Sequence, residues 1–558
     1  MKKYLYIALA ALGFAACAEK IDDTNTPVQN GEVEESFIAI NLMSADVETR
    51  AATDSYGYED GTDEERAIKT AYFFFFDENG NPFNVTASAP GGEKNHMQLT
   101  IGNTTGNVDP NVSDIKKAVL VLNTYKGVYP SKIVAVLNWT PVDMTYTLDK
   151  LHEELATLGN DANGYVMSNS VYMDGADKMV DAVPVTSANI KTSSTEALAA
   201  PIDIYVERIA AKVALGASGI VDGTTNIFDT EKDSSPILSA GETSKIDVYV
   251  KLNGWELYND YSNSSLLKNI STSWDVEALG LTWNDIPYYR CYWATSQSNE
   301  PKDSFSWEYN KDANGETYNG YPTVYGFGVN GYTYCGENTN GADKRTKVIL
   351  KGQLMQQKGD HYEPLELARW YGTEYAGNEA LRTAVANSLR YTIFYKEGDS
   401  YVSIKPEHLV CVAGSNVNAE AYEVGFQLST AGEEKTWYQY SSANGYQAFE
   451  LNNNKAKANE YLATVEPALL YTEGQTYYFV DIKHLGTTGK TAEYGVVRNH
   501  VYKIDIESIK GYGSPVYNGL SDIVTPPEYP TEGESSYVAA RINVLSWKVV
   551  KQGVNIGQ

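Results

Sequence analysis

Apolar residues recur at every second position through much of this chain, the spacing of half-buried strands. The first such run, 36–44, alternates Ile38, Ile40 and Leu42. Further strands are expected within 67–83, where AIKTAYFFFF runs into the turn DENGNPF, and at 117–125, 132–139 and 201–215. A loop-rich passage after about Gly216 leads to a second series at 245–257, 346–355, 475–485 and 495–509. Two segments have helical spacing instead. TLDKLHEELATLG aligns Leu148, Leu151, Leu155 and Leu158, with Thr147 to cap and Gly159 to stop it. NEALRTAVANSLR, 378–390, aligns Leu381, Val385 and Leu389.

A Pro/Gly/Ser-rich linker, 511–536, precedes one last strand-like segment, YVAARINVLSWKVVKQGVNIG. Its apolar positions are Ile542, Val544, Leu545, Trp547, Val549 and Val550, while Ser546 and Lys548 break the alternation. Which face would insert against a partner, and whether a bulge intervenes, stays open. Many short strands with turn signals predict an all-β chain of sandwich type with a few short helices. The expected domains are 51–216 and 217–522, followed by linker and terminal strand at 523–558. A strand at each end, set apart from the body by loops, is unusual, because an isolated strand cannot satisfy its own backbone groups.

Composition narrows the function. At 558 residues the chain exceeds one ordinary domain, and 42% hydrophobic residues suffice for two or more cores. A net charge of -28, scattered rather than blocked, argues against nucleic-acid binding. The N-terminus, MKKYLYIALAALGFAACAEK, has a basic start and an apolar stretch too short to span a bilayer permanently. Ala15-Ala16-Cys17 at its end reads as a lipoprotein signal, 1–17, with Cys17 lipidated after cleavage. Phe14 departs slightly from that pattern, and a plain secretory signal is the alternative. The protein is therefore expected to be exported and tethered. Cys291, Cys335 and Cys411 are too few and too widely spaced for a disulfide framework and read as buried free thiols.

Catalytic chemistry is poorly represented. Asp77, Asn79 and Asn81 have calcium-loop spacing, but the glycine comes early at Gly80 and the twelfth position is Ser88, so a hairpin turn is the better reading. His408 and Cys411 lack a second pair at zinc spacing, and His484 and His500 have no nucleophile elbow or phosphate loop nearby. Neither an enzyme, a cofactor nor a metal is expected. The 43 tyrosines and nine tryptophans suit cross-strand packing first and a glycan or protein contact surface second. Arg50 stands out by isolation: it is the first basic residue after Lys20, in the small, acidic stretch SADVETRAATDS just past the first strand. Its competitor, Arg66, is crowded by acids and close to the strand at Ala71.

The chain resembles the type V fimbrilins of Bacteroides-type bacteria, most of all the shaft subunits of their short fimbriae. The likeness lies in the lipoprotein-like start, the basic residue after the first strand, VERIAAKVAL (206–215), YTYCGENT (332–339), YGVVRNHVYKIDIESIKGYGSP (494–515) with its Arg-Asn-His-x-Tyr block, and INVLSWKVVKQGVNI (542–556). The resemblance implies two tandem transthyretin-like β-sandwiches and a surface fimbria serving adhesion and biofilm formation. It implies that a protease cuts after Arg, between Arg50 and Ala51, removing 18–50 with Ile38, Ile40 and Leu42 and the lipid. The groove so opened would accept the terminal strand of another copy, by strand addition in a head-to-tail polymer that does not close. Implied partners are further copies and other fimbrial subunits, the protease, and host or bacterial surface ligands. The competing readings are a tip or accessory adhesin and a stand-alone surface lipoprotein that binds glycan or host protein.

Overall fold

The computed structural model describes residues 33–45, 56–57, 61–85, 93–99, 102–103, 112–125, 128–170, 172–174, 178–199, 201–217, 220–221, 224–225, 227–261, 263–269, 331–341, 344–413, 423–484, 493–517, 537–545 and 549–552. Within them the chain is all-β with a few short helices. A nine-stranded sheet organises the first part, in the order His96–Leu99, Ala71–Phe76, Lys132–Leu137, Met167–Asn169, Ile202–Arg208, Val33–Ala45, Val112–Tyr125, Gly102–Asn103, with Val183–Pro184 beside Lys132–Leu137. Phe73 and Phe75 enter one core and Phe74 and Phe76 another, so AYFFFF is buried on both faces and cannot alternate with polar residues.

Two six-stranded sheets form a sandwich in the second part. One runs Tyr56–Gly57, Val549–Gln552, Tyr537–Leu545, Val501–Lys510, Ala210–Ala217, Tyr332–Gly336. The other runs Ile227–Ser234, Ile246–Tyr258, Lys347–Lys358, Gln475–Asp481, Ser514–Pro515, with His361–Pro364 beside Lys347–Lys358. Val213, Leu215, Tyr502, Ile504 and Ile506 of the first pack with Val250, Trp255, Leu350 and Tyr478 of the second in one core. The expected strand at 201–215 is therefore two strands. Ile202–Arg208 serves the nine-stranded sheet and Ala210–Ala217 the sandwich, and the change falls at Ile209, whereas the boundary expected at 216 lies inside the second of them.

Between Lys358 and Gln475, which belong to neighbouring strands, the chain builds a lobe with a core of its own, including Trp370, Leu381, Val385, Leu389, Trp437 and Leu462. The expected helix at 378–390 is Gly377–Leu389 of this lobe. The other expected helix is cut short. Thr147 does cap it, accepting from the Lys150 amide at 3.0 Å, but it ends at Glu153. Leu155–Thr157 is instead a strand paired with Asn263–Ser265, burying Ala156 and leaving Leu155 exposed. Tertiary pairing overrides the leucine spacing there. Cys335 and Cys411 are buried and take part in no disulfide; Cys291 lies outside the described residues.

Candidate strand-exchange site

The leading strand, Val33–Ala45, lies inside the nine-stranded sheet. It runs antiparallel to Val112–Tyr125, with Ile38 opposite Leu120 and Ile40 opposite Ala118, and parallel to Ile202–Arg208, with Ile40 aligned on Ile202 and Leu42 on Ile204. Ile38 is fully buried among core residues that include Leu120, Leu122, Ile202, Ile204 and Val206. Ile40 and Leu42 follow it at the second and fourth positions along the same strand. Without this strand, Val112–Tyr125 would keep, among the described strands, Gly102–Asn103 as its pairing partner. Two rows of backbone groups and an apolar slot would face water, each unpaired group costing about 1–3 kcal/mol if it stays buried. The strand is first among the described elements and its sheet partners are distant in sequence, so no turn ties it to either.

The terminal segment is a hairpin, not one strand. Tyr537–Leu545 pairs antiparallel with Val501–Lys510, and Val549–Gln552 folds back on it with Leu545 opposite Val549. The alternation breaks after Leu545 because the chain reverses there. Trp547 lies outside the described residues. In register, Val544, Ile542 and Ala540 stand opposite Tyr502, Ile504 and Ile506, all buried in the sandwich core.

Cys17, Arg50 and Ala51 lie outside the described residues. Arg66 does not, and it is locked. Thr62 and Glu65 form a capping box, each side chain bonded to the other's amide at 2.9 and 3.2 Å. Arg66 pairs with Asp63, and the Ala67 amide, on the bond a protease would cut, donates to the Glu64 carbonyl. Arg208 Nε donates to the Glu65 carbonyl at 2.6 Å. The Glu65 carboxylate accepts from Lys212 Nζ at 2.8 Å and from the Tyr334 hydroxyl. Burial alone would raise this carboxyl, but hydrogen bonds from Lys212 and Tyr334, the Lys212 charge and the Thr62 amide hold it below the ordinary range. Burial, together with the adjoining Glu65, pushes the Tyr334 phenol up.

These contacts belong to a buried polar joint between the two parts of the chain. Lys268 Nζ meets Glu207 at 2.8 Å with both side chains wholly buried. Arg498, also fully buried, donates from Nε to Glu337 at 2.9 Å and from Nη2 to the Ser265 carbonyl at 2.8 Å. Asn499, at a φ of +58°, donates its amide to the Ala210 carbonyl at 2.7 Å and accepts from Arg208 Nη1 at 3.2 Å. The Tyr502 hydroxyl bonds His484 Nδ1 at 2.9 Å and accepts from the Val497 amide at 2.8 Å. The three internal motifs behind the resemblance, VERIAAK, Glu-Asn-Thr and Arg-Asn-His-x-Tyr, thus meet at one place. Sequence reasoning assigned none of them this role. Thr62-x-x-Glu65 was readable as a capping box; Lys268 left no signal.

Asp77 makes a turn: its carboxylate accepts from the Asn79 and Asn81 amides, each at 2.8 Å. His408 stacks edge-on against Trp437 at 5.3 Å, and burial pushes the Cys411 thiol up to about 12. Among the described residues no group of three or more His, Cys, Asp or Glu is placed to hold a metal ion, and no helix is long and apolar enough to cross a membrane.

Residues 469–553, which take in the strand Val501–Lys510 and the terminal hairpin, match the family described as "Major fimbrial subunit protein type IV, Fimbrillin, C-terminal". The resemblance to fimbrilins is shown over that segment. No curated protein matches. Solved structures similar to the chain include a candidate cell adhesion protein from Parabacteroides distasonis ATCC 8503, 11% identical over 93% of this chain and 98% of that one, with a TM-score of 0.38. A fimbrilin from Porphyromonas gingivalis W83 is 13% identical over 90% and 96%, at 0.35. The tip fimbrial protein of Porphyromonas gingivalis is 11% identical over 91% and 99%, at 0.27. No residue's role is carried across at such values.

Proposed function

We propose that this chain is a structural subunit of a surface fimbria that polymerises by protease-triggered strand exchange. It travels as a lipoprotein modified at Cys17; a protease cuts between Arg50 and Ala51; the leading strand departs with its lipid; and the groove takes the terminal strand of another copy. One observation carries the reading: the first described strand, which precedes the stretch that holds Arg50 in the sequence, sits mid-sheet between two strands distant in sequence. The match of 469–553 to a fimbrial subunit family supports it. The register of the hairpin adds detail. Ala540, Ile542 and Val544 repeat the spacing of Ile38, Ile40 and Leu42, so they are the positions that replace them, in the same strand direction. Each large side chain buried there contributes about 1.5–3 kcal/mol, and the two restored ladders add to it. The remaining donor-strand positions, Leu545, Trp547, Val549 and Val550, then lie at or beyond the end of the shared three-position pattern.

The test is trypsin treatment of the full chain carrying Cys17→Ala, followed by N-terminal sequencing and unheated SDS gels. A new terminus at Ala51 and a ladder of resistant oligomers are expected. Arg50→Ala should abolish both, and Ile542→Asp should abolish the ladder while sparing the cut. A ladder that persists after deletion of 537–558 would sink strand exchange through this segment.

A second reading, a surface adhesin, has one observation in its favour. The exposed large aromatics among the described residues, Tyr371, Tyr391, Tyr440 and Tyr446, all lie on the inserted lobe. Binding of the uncut chain to glycan arrays, lost when Tyr440 and Tyr446 become serine, would favour it.

A further inference from the structure

We infer that the short strand Tyr56–Gly57 is a latch coupling removal of the leading strand to release of the terminal hairpin, an inference that rests on the cleavage and exchange proposed above. The two ends of the chain meet at one sheet edge. Tyr56 is paired with Val550 and Gly57 with Val549, so among the described strands the hairpin's outer strand has as its other neighbour a segment lying between Arg50 and Thr62. In the uncut chain that segment is held on both sides. Ahead of it the leading strand is seated mid-sheet, and behind it the capping box is pinned by Arg208, Lys212 and Tyr334.

A two-residue bridge standing alone is weak, since a short pairing cannot repay the ordering of its residues. Anchoring at both ends changes this, because pairing then proceeds at a high effective concentration. A cut at Arg50 removes one anchor. Tyr56–Gly57 then belongs to a new N-terminal tail, its pairing again bears the full ordering entropy, and Val549–Gln552 becomes a free edge. The uncut chain thus withholds both exchange partners: the groove is filled by the leading strand, and the donor is paired to Val501–Lys510 and bridged from outside. One proteolytic event weakens both restraints in the same molecule, so a donor is offered where a groove has also opened.

Amide hydrogen exchange, read by mass spectrometry on monomeric full chain carrying Cys17→Ala, tests this before and after the cut at Arg50. Exchange across 537–552 should quicken by about tenfold or more on cutting, while Lys347–Lys358 and Gln475–Asp481 keep their protection and so report an intact fold. Tyr56→Pro with Gly57→Pro, which removes whichever of the two amides donates to the bridge, should produce the same quickening without a cut, and cutting that variant should add nothing. Equal exchange across 537–552 in cut and uncut chain overturns the latch, as does an uncut double-proline variant that exchanges like the parent. The two proposals fail separately. A hairpin that loosens without resistant oligomers condemns strand exchange and leaves the latch; oligomers formed with no loosening do the reverse.

Discussion

Arg498 is a guanidinium with no exposed surface, and its neighbours explain why that is tolerable. Glu337 supplies the countercharge and the Ser265 carbonyl takes a further donor. Such a pair adds little relative to a well-packed apolar substitute, but removing one partner strands a buried charge. Arg498→Ala is therefore expected to lower stability by about 3–5 kcal/mol in urea unfolding followed by tryptophan fluorescence. Arg498→Met combined with Glu337→Leu should recover most of that loss; a single alanine variant as stable as the parent would contradict the assignment. Glu65 gives the joint a pH dependence of known sign. Its folded-state pKa lies below the unfolded value of about 4.5, so its contribution is fully present above that value and is lost as pH falls through the folded pKa. Melting temperatures of the parent and Glu65→Gln should differ most near pH 7 and converge as the solution is acidified toward pH 3. A gap that stays constant would show that the carboxylate charge is not what Lys212 and Tyr334 hold.

The element that decides where the chain can be cut is the single turn Asp63–Arg66. A protease binds its substrate extended, and this turn offers a helical backbone whose carbonyls and amides are engaged on both sides of Arg66. Trypsin should spare Arg66 in the parent. Glu65→Ala, which removes the carboxylate from the capping box, Lys212 and Tyr334 together, should yield a second terminus at Ala67; its absence after prolonged digestion would mean that something other than the capping box protects the bond. At this scale the sequence was a good guide wherever one rule acted alone. Alternation found the leading strand, an unbroken apolar run found Lys132–Leu137, and Leu381, Val385 and Leu389 found their helix. It failed where two rules competed. Leu148 to Leu158 obey helical spacing, yet Ala156 also fits a strand, and only the distant partner Asn263–Ser265 decides between them. In the terminal segment the phase break at Ser546 was visible, but a bulge and a reversal leave the same mark in the letters. Which side of the sheet change each half of 201–215 serves depends on partners that local pattern does not encode.

At the scale of the molecule, the lobe between Lys358 and Gln475 is the feature least expected from the sequence, because its strands alternate as the sandwich strands do. Its attachment shows how the sandwich tolerates it. Lys347–Lys358 and Gln475–Asp481 are direct neighbours in the sheet, with Gln353 opposite Gln475. The insertion leaves and returns through a paired stem, Leu367 opposite Tyr471, and those two residues belong to the sandwich core while Ala368 and Leu470 belong to the lobe's. A disordered insertion of about a hundred residues would oppose closure of that stem by about 3 kcal/mol relative to a tight turn, from the logarithmic growth of loop entropy. A folded lobe pairs its own ends and avoids most of that cost. Replacing 368–470 by Asn-Gly should therefore keep the stem, since a two-residue type I′ turn suits antiparallel partners such as Leu367 and Tyr471. The shortened chain is expected to remain folded, to be cut after Arg50, and to form the same resistant ladder with smaller spacing, because leading strand, joint and terminal hairpin all lie outside the excised residues. Loss of the ladder in a variant that still shows native-like near-ultraviolet dichroism would place the lobe inside the subunit contact. An intact ladder together with lost surface binding would instead divide the molecule into a polymerising frame and a module carried on it.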